Sequence, residues 1–136
     1  MNMNPIKENI EAIEVKVRPE YIISQSNDLQ KEHIFIWAYH VKIANKSNET
    51  VQLISRYWKV IDEKGGVQEV SGEGVIGEQP ILTPGSNFNY SSGVNLNCSS
   101  GIMSGHYIMK KDDGTSIKVI IPAFSLDIPN TKSVIN

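Results

Sequence analysis

Hydrophobic and polar residues alternate along most of the chain with the two-residue period of a β-strand. The clearest examples are IEVKV at 13–17, a strand that Pro19 is expected to end, and IFIWAYHVKI at 34–43. Further strands are predicted at 51–60, 67–70, 87–90, 105–111 and 117–128. Since no 11-residue window shows a convincing apolar period of 3.6 residues, the pattern predicts strands throughout and no helix.

Two of these strands change the face on which their apolar residues lie. Val51 and Leu53 share one face, whereas Arg56 and Trp58 lie in the opposite parity, which predicts a β-bulge near Leu53–Ser55. In the last strand the apolar residues also change face, and Pro122 lies between the two groups. Because proline cannot donate to a strand ladder, Pro122 is expected at an edge or a bulge.

Many short strands at a spacing of roughly 8–12 residues, separated by turn signals, predict an all-β sandwich or barrel. Trp37, Trp58 and Tyr90 are expected in its core. We predict one β-sandwich domain at 10–129, with a flexible arm at 1–9 and a tail at 130–136.

The composition and the N-terminal sequence limit the partners and the cellular location that are expected for such a domain. The chain has 136 residues and a net charge of −2, which offers no general attraction to nucleic acid or to an anionic membrane, so neither is expected as a partner. The N-terminal stretch MNMNPIKENI lacks the apolar region of a signal peptide. One cysteine, Cys98, leaves no internal disulfide. A cytoplasmic location is therefore expected.

The sequence GEGVIG contains three glycines, Gly72, Gly74 and Gly77, in the spacing G-x-G-x-x-G. A dinucleotide fingerprint needs a helix directly after the glycines, and none is predicted here. Glu73 and Glu78 also place negative charge where phosphate would have to sit. Two interpretations remain: the glycines permit a tight exposed loop, or they allow close backbone approach to a partner.

Arg56 and Trp58 lie two residues apart on one strand face. Trp58 is best explained as a core residue. Arg56 is expected either to bind an acidic partner or to pair with Glu73 or Glu78 of the nearby loop.

No catalytic or metal-binding constellation stands out. Cys98 and His106 could form a nucleophile and base, but no third residue at a recognisable spacing would orient them. His33, His40 and His106 lack metal-ligand spacing, so no metal site is predicted.

Several stretches together resemble the ApaG domain family, and the resemblance extends from about Ile10 to Pro129. They are SRYW at 55–58, GEGVIGEQP at 72–80, PGSNFNYSSG at 84–93, GIMSGHY at 101–107 and IPAFSLDIP at 121–129. The chain looks like a stand-alone bacterial member. The resemblance implies a fibronectin type III-like, immunoglobulin-like antiparallel β-sandwich and no catalytic residues that could be carried over.

The resemblance also implies an association with cobalt resistance, magnesium efflux and diadenosine tetraphosphate operons, and with protein binding in eukaryotic fusions. This chain has Tyr57 where the family usually has His, and Asn97-Cys98 where it usually has Thr-Pro. These departures count against any role that needs an imidazole at position 57.

We therefore expect a non-enzymatic binding module that needs no cofactor and contacts an unknown protein partner. Its contact residues are predicted to be Arg56, Gly72, Glu73, Gly74, Gly77 and Glu78. Replacing Gly74 with a bulky residue is expected to abolish partner capture and to leave the melting temperature nearly unchanged. The alternative is a small-ligand protein that binds a divalent cation or a pyrophosphate-containing nucleotide at the same loop. A weak homodimer through sheet edges is a further expectation.

Overall fold

The computed structural model describes residues 7–9, 12–23 and 34–129 and shows no helix in those ranges. Its strands are β1 (Lys7–Asn9), β2 (Ile13–Tyr21), β3 (Phe35–Asn45), β4 (Val51–Asp62), β5 (Val67–Glu73), β6 (Ile81–Leu82), β7 (Asn87–Leu96), β8 (Ser100–Lys111) and β9 (Ser116–Asp127). Among the described residues, no helix is long and apolar enough to cross a membrane.

The strands form two sheets that pack face to face. The large sheet has the order β1-β9-β8-β4-β5, with β6 pairing beside β5 on β4, and the small sheet has the order β2-β3-β7. All pairings are antiparallel except that of β1 with β9. The predicted all-β, immunoglobulin-like sandwich is confirmed.

The core lies between the sheets and is rich in aromatic rings. Trp37, Trp58 and Tyr90 are all buried, and each residue is at most 6% exposed. The ring of Trp58 lies 5.1 Å from that of Tyr39 and meets Phe124 edge-on at 6.1 Å. Such tilted and edge-on contacts are the favoured geometry for aromatic pairs, and the contact between Trp58 and Tyr39 connects the large sheet to the small one.

The predicted bulge in β4 is confirmed. The register of β4 against β8 shifts between Leu53 and Ser55, so Ile54 is the extra residue. Leu53 before the bulge and Trp58 after it both face the core, although their positions differ in parity. The bulge thus keeps the apolar residues of one strand on the buried side.

The two prolines of interest behave differently. Pro122 lies at a register shift in the pairing of β8 with β9, as predicted. Pro19, in contrast, does not end its strand: β2 continues to Tyr21 and pairs with β3 throughout. That prediction was wrong because β2 is an edge strand, where a residue without an N–H is tolerated on the unpaired side.

Two strands extend beyond the ranges predicted from the sequence. Lys7–Asn9, assigned to the N-terminal arm, pairs in parallel with β9. The predicted strand at 87–90 is longer than expected and reaches Leu96. Residues 1–6 of the arm and the tail at 130–136 lie outside the described residues, so the domain boundaries remain predictions.

Candidate functional site

The glycine loop, residues 72–80, joins two strands that share one edge of β4. β5 pairs with β4 from Ser55 to Ile61, and β6 pairs with Val51 and Gln52. The β4 bulge lies between these two pairings. The loop therefore leaves the sheet at the bulge and returns to the same edge directly after it.

The tip of the loop is a two-residue hairpin. Val75 and Glu78 exchange both backbone hydrogen bonds, at 2.8 and 2.9 Å. The two residues between them, Ile76 and Gly77, have φ angles of 43° and 77°. Positive φ at both central positions is the mark of a type I′ turn, which matches the twist of flanking strands. Glycine suits this conformation, but a β-branched isoleucine at positive φ is an outlier.

Contacts at the base of the loop fix its position. Val75 is fully buried in the core. The Gly74 N–H donates to the carbonyl of Ile54 at 2.8 Å, and the Gln79 side-chain amide donates to the same oxygen at 2.9 Å. The bulge makes the Ile54 carbonyl available, because a bulged residue is left out of the regular ladder. The bulge and the loop are therefore one structural unit.

Arg56 contributes to the same unit from the inner face of β4. Its Nη1 donates to the carbonyls of Glu73 at 3.1 Å and Gly74 at 2.9 Å. The sequence predicted contact with Glu73 or Glu78 or with an acidic partner; the structure shows bonds to backbone oxygens of the loop. A Cβ on Gly72 would lie 2.8 Å from the same Nη1, so glycine at 72 leaves room for the guanidinium.

The other two glycines serve the hairpin itself. A Cβ on Gly74 would lie 2.2 Å from the backbone oxygen of Glu78, and Gly74 has a φ of 64°. Gly77 has open space around it and requires glycine only for its φ of 77°. The expectation that a bulky residue at 74 leaves the melting temperature unchanged was wrong, because the clash is with backbone that cannot rotate away.

The outward surface of the loop is apolar at its tip and acidic at its sides. Ile76 is 55% exposed. Glu73 and Glu78 are also exposed, and neither carboxylate forms an ion pair with a described residue. This arrangement can offer an apolar contact and two negative charges to another molecule.

Tyr57 lies on the outer face of the large sheet, opposite His106 of β8. Tyr57 stacks on His106 with ring centroids 5.1 Å apart, and its hydroxyl donates to Glu69 Oε2 at 2.7 Å. The hydrogen bond to Glu69 raises the pKa of Tyr57. Burial, together with the charge of Lys118, lowers the pKa of His106.

Cys98 and His106 belong to different parts of the domain. Cys98 is 4% exposed and lies in the turn between β7 and β8, whereas His106 lies in the middle of β8 against Tyr57. Within the described ranges, no three His, Cys, Asp or Glu side chains come together as a metal-binding group. His33 lies outside the described residues.

Two features were missed at the sequence level. The first is the position of Ile76 at the exposed tip of the loop. The sequence signal for it was the Ile-Gly pair between Val75 and Glu78, which fits a two-residue turn. The second is a basic face on the small sheet that contains Arg18 and Lys42. The alternation in β2 and β3 places these cations on one side, but only the register between the strands shows that they are neighbours.

Comparison with known proteins supports the resemblance noted in the sequence. The family model described as the ApaG domain matches residues 24–111. The chain is 52% identical to Protein ApaG of Brucella suis over 124 residues, which cover 91% of this chain and 94% of the relative. It is 49% identical to Protein ApaG of Xanthobacter autotrophicus over the same share of both chains. The crystal structure of the putative ApaA protein from Bordetella pertussis superposes with a TM-score of 0.83 at 38% identity, covering 93% of this chain and all of the other.

Proposed function

The chain belongs to the ApaG domain family, and within that family we propose that it is a non-enzymatic binding module that contacts a partner protein through the glycine loop. The observation that carries the proposal is Ile76, which is 55% exposed at the hairpin tip with a φ of 43°. A β-branched residue at positive φ costs on the order of 1–2 kcal/mol, and this exposed side chain gains little core burial in return. A contact role explains why an apolar side chain is present there.

The surroundings of Ile76 favour a preformed contact site. The buried Val75, the Ile54 carbonyl and the Arg56 guanidinium fix the base of the loop on both sides of the hairpin. A fixed loop loses little conformational freedom when it binds, so more of its contact energy becomes affinity.

The charges of the loop indicate the chemistry of the partner. Glu73 and Glu78 flank the hairpin and are free of ion pairs with described residues. A partner with an apolar pocket for Ile76 and basic groups around it would complement this surface. Binding should then weaken as salt is added, because exposed charges are screened.

We place this contact in the homeostasis of cobalt and magnesium, which the family resemblance implies. If the contact is made in that setting, cells that carry only a version with an altered loop tip should tolerate less cobalt than cells that carry the unaltered protein. Equal cobalt tolerance of the two strains would remove this part of the proposal while leaving the binding module in place.

The direct test replaces Ile76 with glycine. Ile76→Gly removes the apolar contact and also relieves the backbone strain, so the folded state should be as stable as before or more stable. Capture of a partner from native cytosol, measured by quantitative mass spectrometry, should fall, and the affinity for the purified partner should fall about tenfold or more. Burying one isoleucine is worth about 1.5–3 kcal/mol, which corresponds to roughly that factor.

A matched control is available on the large sheet. Ile102 is also 55% exposed, but it lies in β8 and is not part of the glycine loop. Ile102→Thr should leave capture unchanged. Partner binding by Ile76→Gly at the level of the unaltered protein would disprove the proposal.

A divalent cation at Glu73 and Glu78 is the second candidate, and the absence of an ion pair at either carboxylate within the described residues favours it over a nucleotide. Calorimetry with Co²⁺ and Mg²⁺ on the unaltered protein and on a Glu73→Gln, Glu78→Gln variant decides this alternative. If a cation gives binding heat with the unaltered protein but not with the variant, the cation site is supported. If neither protein gives binding heat, the cation site is rejected.

A further inference from the structure

The outer face of the small sheet concentrates positive charge in a chain whose net charge is −2. Lys16 in β2 lies directly opposite Lys42 in β3, and Arg18 lies opposite His40 in the next row on the same face. Like charges directly across a strand pair destabilise a sheet. The arrangement of Lys16 and Lys42 therefore has a cost that the fold itself does not explain.

The carboxylates described on this face neutralise some of its cations but not all of them. Glu14 pairs with Lys46 at 3.2 Å and with Lys16 at 3.7 Å, and Glu20 contacts His40 at 2.8 Å. Arg18 and Lys42 form no ion pair with any described residue. Glu14 and Glu20 are thus both engaged, and among the residues that the structure describes two positive charges, on Arg18 and Lys42, have no carboxylate partner.

The cations line a shallow pocket of about 390 Å³, within the size range of small-molecule sites. Its polar side chains are Lys16, Arg18, His40, Lys42, Asn89 and Ser91. Asn89 and Ser91 come from β7, the third strand of the small sheet, and pair in register with Lys42 and His40. The pocket therefore combines cations from two strands with neutral hydrogen-bonding groups from the third.

Hydrogen bonds between Glu20 and His40 and between His40 and Ser91 fix one wall of the pocket. Nε2 of His40 lies 2.8 Å from Glu20 Oε1, and Nδ1 lies 2.6 Å from Ser91 Oγ. Since an ionised carboxylate only accepts, we assign the ring proton to Nε2 and let Nδ1 accept from the serine. This arrangement is not that of a serine hydrolase triad, in which the serine contacts Nε2 and the carboxylate contacts Nδ1. The two hydrogen bonds instead hold His40 and Ser91 in place beside the cations.

We propose that this pocket binds a small soluble phosphate compound that carries at least two negative charges. A tetrahedral phosphate can accept hydrogen bonds on several oxygens at once, so one group can interact with both lysines, while the planar guanidinium of Arg18 suits a phosphate oxygen pair. Such a ligand removes the repulsion between Lys16 and Lys42. The pocket lies on the opposite sheet from the glycine loop, so the proposal is independent of the partner contact.

Calorimetry and amide chemical shifts of the unaltered protein test this site, with inorganic pyrophosphate and inorganic phosphate as probes. Pyrophosphate should bind more tightly than phosphate, and its affinity should fall several-fold when salt is raised from about 20 to about 150 mM, because exposed charges are screened. The amides that shift should lie at 16–18, 40–42 and 89–91. Shifts confined to the glycine loop at 72–80, or no binding of either anion, would overturn the proposal.

The variant that removes both free cations gives the decisive comparison. Arg18→Gln, Lys42→Gln should bind pyrophosphate at least about tenfold more weakly, since charge-assisted hydrogen bonds are lost. A control, Lys59→Gln, Lys64→Gln, makes the same change in net charge on and beside the large sheet and should bind like the unaltered protein. Equal weakening in both double variants would show a general charge effect and would reject the pocket.

Vesicles that contain phosphatidylglycerol separate a soluble ligand from a lipid headgroup. The proposal expects no co-sedimentation of the protein with these vesicles at about 150 mM salt. Co-sedimentation that Arg18→Gln, Lys42→Gln abolishes would assign the pocket to a membrane surface and would overturn the soluble ligand.

Discussion

The hydroxyls of Tyr90 and Tyr107 meet at 2.5 Å between the two sheets. Tyr90 belongs to β7 of the small sheet and Tyr107 to β8 of the large one, and both side chains are buried. Burial raises the pKa of Tyr90 to about 12, and it raises that of Tyr107 further in the same direction. Each hydroxyl is therefore neutral at ordinary pH and serves as the other's hydrogen-bond partner inside the core.

Removing one hydroxyl of this pair should destabilise the fold more than removing both. Tyr90→Phe leaves the hydroxyl of Tyr107 buried without its partner, at a cost of about 1–3 kcal/mol in the free energy of unfolding. Tyr90→Phe, Tyr107→Phe removes both polar groups and should recover part of that loss. Urea unfolding of the two single variants and the double variant measures the coupling. Additive losses would show that the two hydroxyls do not depend on each other.

The same pair predicts a loss of stability at alkaline pH. The folded pKa of Tyr90, about 12, lies above the unfolded value of about 10. Its contribution is thus complete below about pH 10 and is lost as the pH rises toward about 12, because the unfolded chain releases the proton first. Unfolding midpoints between pH 9 and pH 12 should fall for the unaltered protein and fall less for Tyr90→Phe, Tyr107→Phe. Identical pH profiles would contradict the assignment.

Two glycines of the loop should differ in their cost of substitution. Gly77→Ala meets only an unfavourable φ and should lose about 1–2 kcal/mol. Gly74→Ala adds a contact of 2.2 Å with the Glu78 carbonyl oxygen and should lose more, about 3 kcal/mol. Thermal unfolding of both variants gives the comparison. If the Gly74 variant were as stable as the Gly77 variant, the hairpin would have to be looser than the structure shows.

Arg56 should stabilise the loop through its geometry and not through charge alone. Arg56→Lys keeps the charge, but the shorter lysine side chain does not reach the position of Nη1, which donates to the carbonyls of both Glu73 and Gly74. We expect about 1–2 kcal/mol less stability and faster hydrogen exchange of the Gly74 amide. Lys59→Gln, on the outer face of the same strand, is the control and should leave that exchange rate unchanged.

The sequence by itself predicted the all-β fold, the bulge at Leu53–Ser55 and the shift at Pro122. Each of these follows from local alternation, since a change of parity within one strand can be detected without knowing its neighbours. The sequence also located the glycine loop and excluded a nucleotide fingerprint, because the required helix is itself a local feature. Pro19 was misplaced because its tolerance depends on β2 being an edge strand, which is a property of the sheet.

Only the tertiary structure decided how the functional groups meet. Three contacts join residues that are distant in sequence: the bonds from Arg56 to the loop carbonyls, the pairing of Tyr90 with Tyr107 and the opposition of Lys16 to Lys42. Strand order and register determine these neighbours, and both result from packing the whole core rather than from any one segment. The chain therefore encodes its strands locally, whereas its candidate binding surfaces arise where strands that are distant in sequence become adjacent.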